Sequence, residues 1–337
     1  MVFVGLDAHQ GLFVATILDP ANTHVKQFKV KGTLDKFIVT LRKHLHDRPC
    51  RICFEASCDY GHLYDRLKKV AQQVVVAHPG KLRLIYADKR KNDKIDAFKL
   101  AKLLYAELVP QVHVPDEVVR SWRRTIELRT TLVHKRTRAK VSQRALLRGC
   151  GISMPKKLWS KKGLAWLSTV TLPTEADALH RDMLLDELDH FERQIKRATR
   201  YLDRVGSQHP GVWLLRTIPG VGPRTSEAVM AYIDRPHRFR RNNQIGAYFG
   251  LVPCQDQSAG RNRLGHITRE GPATVRALLV EAAWWGVRHD PTLKAYFEKR
   301  CGKNGERKKI AIVATAHYLA RVMLAMLKSG EVWRPAA

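Results

Sequence analysis

Four carboxylates offer the chemistry in this sequence: Asp7 in Val-Gly-Leu-Asp, Glu55 in Ile-Cys-Phe-Glu-Ala, and Asp93 with Asp96 in Lys-Asn-Asp-Lys-Ile-Asp-Ala. Asp7 and Glu55 each close a short apolar run that reads as a strand. Asp93 and Asp96 lie three apart, so on a helix both project from one face. Strand ends and one helix face can meet at a single point. Such hard oxygen donors suit magnesium, and two ions ~3.5–4 Å apart can hold the attacking and leaving oxygens of an in-line displacement. Taken singly, each acid reads as a surface residue or a helix cap; the set points to phosphoryl transfer at a metal site.

Positioning the set takes a sheet. Residues 2–7, 12–18 and about 25–30 are apolar runs separated by polar turns, which predicts a strand meander. A helix from about Leu34 to Leu45 leads to a strand over 51–55, a helix from about Tyr60 to Ala71 and a strand over 74–77. The stretch 93–104 has Ile95, Ala97, Leu100, Ala101 and Leu104 at helical spacing. Strands followed by alternating helix and strand predict an α/β domain over residues 1–112.

Beyond Pro110 and Pro115 the composition changes, with fourteen Lys or Arg against two acids between Glu117 and Lys162. A helix there turns Trp122, Ile126 and Val133 inward and a basic face, including Arg136, Arg138 and Lys140, outward to nucleic-acid phosphates. A second helix carries Leu184, Leu188, Phe191, Ile195, Ala198, Leu202 and Val205, alternating four and three, the spacing of a coiled-coil seam. The seam fits an antiparallel hairpin within one chain or a dimer, and residues 113–210 read as a basic helical connector. Residues 211–337 read as a mostly helical domain. Within it, Leu215 to Arg224 looks like the turn of a helix-hairpin-helix, where Gly220 and Gly222 let backbone N–H groups approach a phosphate, Pro223 opens the next helix and Arg224 adds charge. An ordinary helix–turn–helix corner is the plainer reading.

Composition supports a polyanionic partner. The 337 residues contain 60 Lys plus Arg against 31 Asp plus Glu, a formal charge of +29, far beyond what a metabolic enzyme needs. With 45% hydrophobic residues the chain can bury a core. No apolar stretch approaches the ~20 residues of a membrane span, and no leader precedes the first strand, so the expected location is cytoplasmic. The six cysteines, Cys50, Cys53, Cys58, Cys150, Cys254 and Cys301, lack a second pair at zinc spacing and read as reduced thiols.

The spaced motifs Gly-Leu-Asp-Ala-His, Cys-Phe-Glu-Ala-Ser and Lys-Asn-Asp-Lys-Ile-Asp-Ala resemble the RuvC-type, RNase-H-like domain of the IS110 family of insertion-sequence transposases, the bridge-RNA-guided DEDD recombinases. Gly250-Leu-Val-Pro253, followed by Gln257 through Gly271, resembles the same family's C-terminal domain, where Gly-Leu-x-Pro leads to a Ser-Gly loop and then Gly-x-Ile-Thr-Lys-x-Gly. This chain departs from the pattern at Asn92 (usually Thr), at Ser57-Cys58 (usually Gly), at Ala259 before Gly260, and at Pro272 (usually Asn), which suits the first turn of a helix. The final basic cluster Lys303, Arg307, Lys308 and Lys309 and the helix 310–327 also agree with the family.

The resemblance implies Asp7, Glu55, Asp93 and Asp96 as magnesium ligands and Ser258 as a nucleophile; the chemistry of the loop agrees, since the guanidiniums of Arg261 and Arg263 can stabilise the charge that develops on an attacked phosphodiester. It further implies target and donor DNA, a structured noncoding guide RNA, and dimers assembling into a tetramer whose active sites join the carboxylates of one subunit to the serine of another. Two alternatives remain: a junction-resolving nuclease that activates water with the same carboxylates, and a non-catalytic RNA-binding protein.

Overall fold

The computed structural model describes the chain except residues 22–23, 58–59, 86–91, 259–260, 303–304 and 336–337. Cys58, Lys91, Ala259, Gly260 and Lys303 therefore lie outside the described residues, as do the side chains of Ser258 and Arg261. The chain divides into two compact units, Met1–Glu117 and Val118–Ala337.

The first unit is a five-stranded sheet flanked by helices. Its strands are β1 (Val2–His9), β2 (Leu12–Asp19), β3 (His24–Lys31), β4 (Cys50–Glu55) and β5 (Gln73–Ala77), in the order β3-β2-β1-β4-β5. The first three form the expected antiparallel meander, while β4 and β5 join parallel to β1. Helices α1 (Leu34–Leu45) and α2 (Tyr60–Leu67) supply the crossovers, followed by α3 (Pro79–Ile85) and α4 (Asp93–Tyr105). Thr33 caps α1, its hydroxyl accepting from the Lys36 N–H, and Asp35 complements the positive end of the helix.

Alternation along β1 sorts the two faces of the sheet. Val2, Val4 and Leu6 enter one core with Phe37, Leu41, Ile52, Phe54 and Leu67. The opposite face carries Cys53, Val75 and Ala77 against Leu100, Leu103 and Leu104 of α4. Here α4 approaches the sheet very closely: a Cβ on Gly5 would lie 1.9 Å from the Ala97 carbonyl oxygen and 2.4 Å from the Ala101 nitrogen. With Ala97 and Ala101 fixed on the sheet, Ile95 falls off the buried stripe and is 38% exposed.

The second unit is helical apart from one hairpin. It contains α5 (Glu117–Gly149), α6 (Lys161–Thr169), α7 (Glu175–Ser207), α8 (Pro210–Leu215), α9 (Pro223–Ile233), α10 (Gln244–Tyr248), β6 (Pro253–Ser258), β7 (Arg261–Ile267), α11 (Ala273–His289), α12 (Pro291–Cys301) and α13 (Lys308–Ser329). The long helices α5 and α7 run antiparallel: Arg129 donates to the Thr199 hydroxyl at 2.8 Å and Arg136 to Glu192 at 3.0 Å. The α7 stripe is used within the chain, where Leu184, Leu188, Ile195, Ala198 and Leu202 are buried. Trp122, Ile126 and Leu202 share one core with residues of α8, α9, α11 and α13.

Three expectations change here. The segment around Ser258 is a β-hairpin, not a loop, because Gln255 to Ser258 pair with Arg261 to Leu264. Pro272 is the N-cap of α11 and not a residue of its first turn. Helix α13 is long and apolar enough to cross a membrane by length and composition, contrary to the reading that no such stretch exists. Its Ile312, Leu319, Met323 and Leu324 instead fill the core of the unit, as expected of an apolar helix at the centre of a helical layer.

The Gly5 contact should tolerate no side chain. Gly5→Ala places a methyl group inside α4's backbone, and overpacking of this kind costs about 1–3 kcal/mol. Chemical denaturation should show that loss; a variant as stable as the unaltered protein would contradict the packing described.

Candidate metal centre and nucleophile hairpin

The α4 seat determines where the acids fall. Asp7 lies two residues beyond Gly5 on β1 and so points to the same, α4-facing side. Asn92 caps α4 by accepting from the Lys94 N–H at 3.0 Å, and Asp93 and Asp96 occupy its first turn, where the helix dipole favours negative charge. An asparagine caps as well as the family's threonine, so that departure preserves the local structure. A second tie comes from Gln27 on β3, whose side-chain amide donates to the Thr16 hydroxyl at 3.0 Å and to the Lys94 carbonyl at 3.1 Å. Gly5, Thr16 and Gln27 are register partners across β1, β2 and β3, and this one row carries the start of the helix.

Ligand atoms of Asp7, His9 and Asp93 lie within 4.8 Å of one another. His9 Nε2 is 3.3 Å from Asp7 Oδ2. Burial is the main cause that holds the Asp7 carboxyl above the ordinary carboxylate range; His9 opposes it, while the charges of Asp93 and Asp96 add to it. Asp96 thus acts on Asp7 electrostatically without entering the tight group of three. Glu55 ends β4, one residue beyond Phe54, which is the register partner of Leu6 in β1. Its side chain is exposed and outside that group. Two convergent carboxylates with a histidine beside them could hold a divalent cation, for which Asp7 and Asp93 would supply oxygen ligands. His9 and Gln27 escaped the sequence reading. Alternation from Asp7 places His9 on the same strand face, but nothing local marks Gln27.

Ser258 ends β6, where its register partner is Arg261. Residues 254–257 and 263–266 are exposed, Arg263 among them, so the hairpin stands clear of its unit's core. Its base is locked. Gly250 (φ +66) and Gly271 (φ +79) adopt left-handed conformations, and an added Cβ would meet the Glu270 carbonyl oxygen at 2.0 Å or the Tyr248 carbonyl oxygen at 2.1 Å. Arg276 Nη1 donates to the carbonyls of Phe249, Glu270 and Gly271. The glycines at the two ends of the sequence motif are therefore required by backbone approach.

The expected nucleic-acid contacts divide. Gly222 is the N-cap of α9, with Pro223 following and no side-chain cap, which leaves the first-turn N–H groups open to an anion. Arg224 turns inward, ion-paired with Asp203 and with Glu227 at 2.7 Å. Arg136 is engaged with Glu192, and Lys140 lies 5.2 Å from the Trp159 ring centre, whereas Arg138 is exposed.

A carboxyl whose folded pKa is raised binds more protons folded than unfolded between the two pKa values. Its penalty is absent below the unfolded pKa, grows as pH rises and is complete above the folded pKa. Asp7→Asn should therefore raise the metal-free melting temperature at about pH 7 and by less near about pH 4, and it should lose most of the stabilisation that a divalent cation gives the unaltered protein. A pH-independent difference, or full metal stabilisation of the variant, would contradict the assignment.

A DEDD transposase model of the IS110 type matches residues 4–152, and a model described as transposase, IS116/IS110/IS902 family, matches residues 213–298. A probable family 20 transposase of Pseudomonas aeruginosa is 28% identical over 85% of this chain and 86% of its own length. The transposase for insertion sequence element IS1111A of Coxiella burnetii is 28% identical over 74% of this chain and 70% of its own. Putative transposase y4rJ of Sinorhizobium fredii is 26% identical over 98% and 93%. DEDD transposase domains are in general RNase-H-like and depend on divalent metal, as the first unit's mixed sheet and acidic cluster would serve. Two models of one family at the two ends of the chain, with curated transposases spanning most of its length, place this protein in the IS110/IS116/IS902 family of insertion-sequence transposases.

Proposed function

We propose that this transposase cuts and exchanges DNA strands through a covalent serine intermediate. The observation that carries the reading is the meeting of Asp7 and Asp93, from a strand end and a helix first turn, at one carboxylate cluster. Magnesium held by Asp7, Glu55, Asp93 and Asp96 would neutralise phosphoryl charge. The Ser258 hydroxyl attacks the scissile phosphorus and gives up its proton; the bond to the leaving oxygen breaks, and that oxygen is protonated to a free hydroxyl. One phosphoester is exchanged for another, so the reverse attack by a DNA hydroxyl rejoins strands without a high-energy cofactor. Arg261 and Arg263 stabilise the charge that develops at the phosphorus.

The functional division follows the sequence: residues 1–112 carry the carboxylates, 113–210 form a basic connector, and 211–337 present the serine. A structured guide RNA supplies sequence specificity by pairing with target and donor DNA, and the exposed basic face around Arg138 takes its phosphates, with Gly220 and Gly222 at a further phosphate contact. Dimers pair into a tetramer in which the carboxylates of one subunit work with the serine of another. The protein acts in the cytoplasm, on DNA.

Ser258→Ala should bind DNA and RNA yet trap no protein–DNA adduct in denatured reaction mixtures. Asp93→Asn should abolish cleavage while keeping RNA binding, and mixing the two variants should restore some activity if sites are shared between subunits. An adduct on another residue, or efficient cleavage with none, would overturn the serine step and favour a nuclease that activates water.

Replacing Arg136, Arg138 and Lys140 together should weaken nucleic-acid binding and flatten its dependence on salt. Since Arg136 is already paired with Glu192, Arg138→Ala alone should account for much of the change in slope. An unchanged slope in the triple variant would make this face a solvated surface.

A further inference from the structure

Beside the turn between α8 and α9 lies a cleft of ≈ 500 Å³ whose lining includes Glu281, Trp284, Trp285, Arg288 and Lys308. Trp285 is 55% exposed. The Arg288 guanidinium lies 5.8 Å from its ring centre, and His289 stacks on it with centroids 5.5 Å apart. Lys308 Nζ sits 5.6 Å from the Trp284 ring centre. The walls are fixed by backbone contact: Gly220 has φ +88, and a Cβ there would lie 2.6 Å from the Gly286 nitrogen and 2.8 Å from the Ala282 carbonyl oxygen. Turn and α11 are thus held together through glycines. Thr225, in the first turn of α9, also lines the cleft, and that helix start has no side-chain cap.

An exposed indole offers a large planar surface that a second planar group can cover. The cations beside it select a partner that also carries negative charge, and the uncapped end of α9 adds partial positive charge. A nucleotide combines both features. Bases within a duplex present only their edges to a protein, so the partner must be unpaired. Glu281, the acid in the lining, can accept from a base's exocyclic amine. We propose that this cleft binds an unpaired nucleotide of a DNA or RNA strand, its base stacked on Trp285 and its phosphate drawn to Arg288 and Lys308. The inference rests on the nucleic-acid reading above and adds to it a single-strand site distinct from the carboxylates and the serine hairpin.

Fluorescence anisotropy on the full chain tests it, using labelled single-stranded DNA, single-stranded RNA and duplex DNA of equal length. Trp285→Ala should bind at least one of the single strands roughly tenfold more weakly, the scale of one lost base–aromatic stack. Its duplex affinity and salt slope should be unchanged, and Trp285→Phe should retain most of the single-strand binding. The strand type that loses affinity identifies the occupant. Single-strand binding left intact by Trp285→Ala, or an equal loss on duplex, overturns the proposal alone. Loss of self-association without loss of single-strand binding assigns the cleft to a second copy and also overturns it. No nucleic-acid binding by the unaltered protein overturns the proposal together with the reading it rests on.

Discussion

The acidic centre depends on one contact in which a helix lies on a strand with no side chain between them. Gly5 admits the backbone of α4 at Ala97 and Ala101, and that seat sets the height and rotation of the first helical turn. Carboxylates brought together repel one another, so a cluster such as Asp7 with Asp93 forms only where packing elsewhere holds it. Leu100, Leu103 and Leu104 supply that packing on the sheet. Gln27 adds direction by bonding the Lys94 carbonyl from across two strands.

The same device recurs wherever this chain presents chemistry. Gly250 and Gly271 bring backbone against backbone at the base of the serine hairpin, and Arg276 ties three carbonyls there. Gly220 does so between the α8–α9 turn and α11. In each case close backbone approach fixes the element beneath a candidate site, the arrangement expected where the geometry of a site must be held. The abundant basic side chains then serve two ends. Some, such as Arg224 and Arg136, pair with internal acids, while others, such as Arg138 and Arg288, stay exposed.

The strands and helices of the first unit were legible because their apolar runs alternate or repeat with clear periods, and the approach of Asp7 to Asp93 was legible because one lies near the end of a strand and the other in the first turn of a helix. The partners that position them were not. Gln27 looks like any polar residue on a strand until the register places it under α4, and His9 reads as part of a turn until β1 is seen to run through it. Ile95 shows the limit of periodicity, since the buried stripe of α4 is set by a glycine on another element. The hairpin at Ser258 was hidden because its strands are polar and exposed, with little apolar alternation to mark them. Arg224 belongs to a motif whose arginines invite a phosphate, and only tertiary structure reveals Asp203 and Glu227 as its partners. Apolar composition alone cannot separate a buried core helix such as α13 from a membrane span.

The central claim is that the seat of α4 on Gly5 builds a divalent-cation centre from Asp7 and Asp93. Anomalous scattering from crystals soaked in manganese, an oxygen-seeking stand-in for magnesium, tests it most directly. The account predicts an anomalous peak within coordination distance of the Asp7 and Asp93 carboxylate oxygens. Its absence at saturating manganese, or a peak confined to acids elsewhere in the chain, would contradict it.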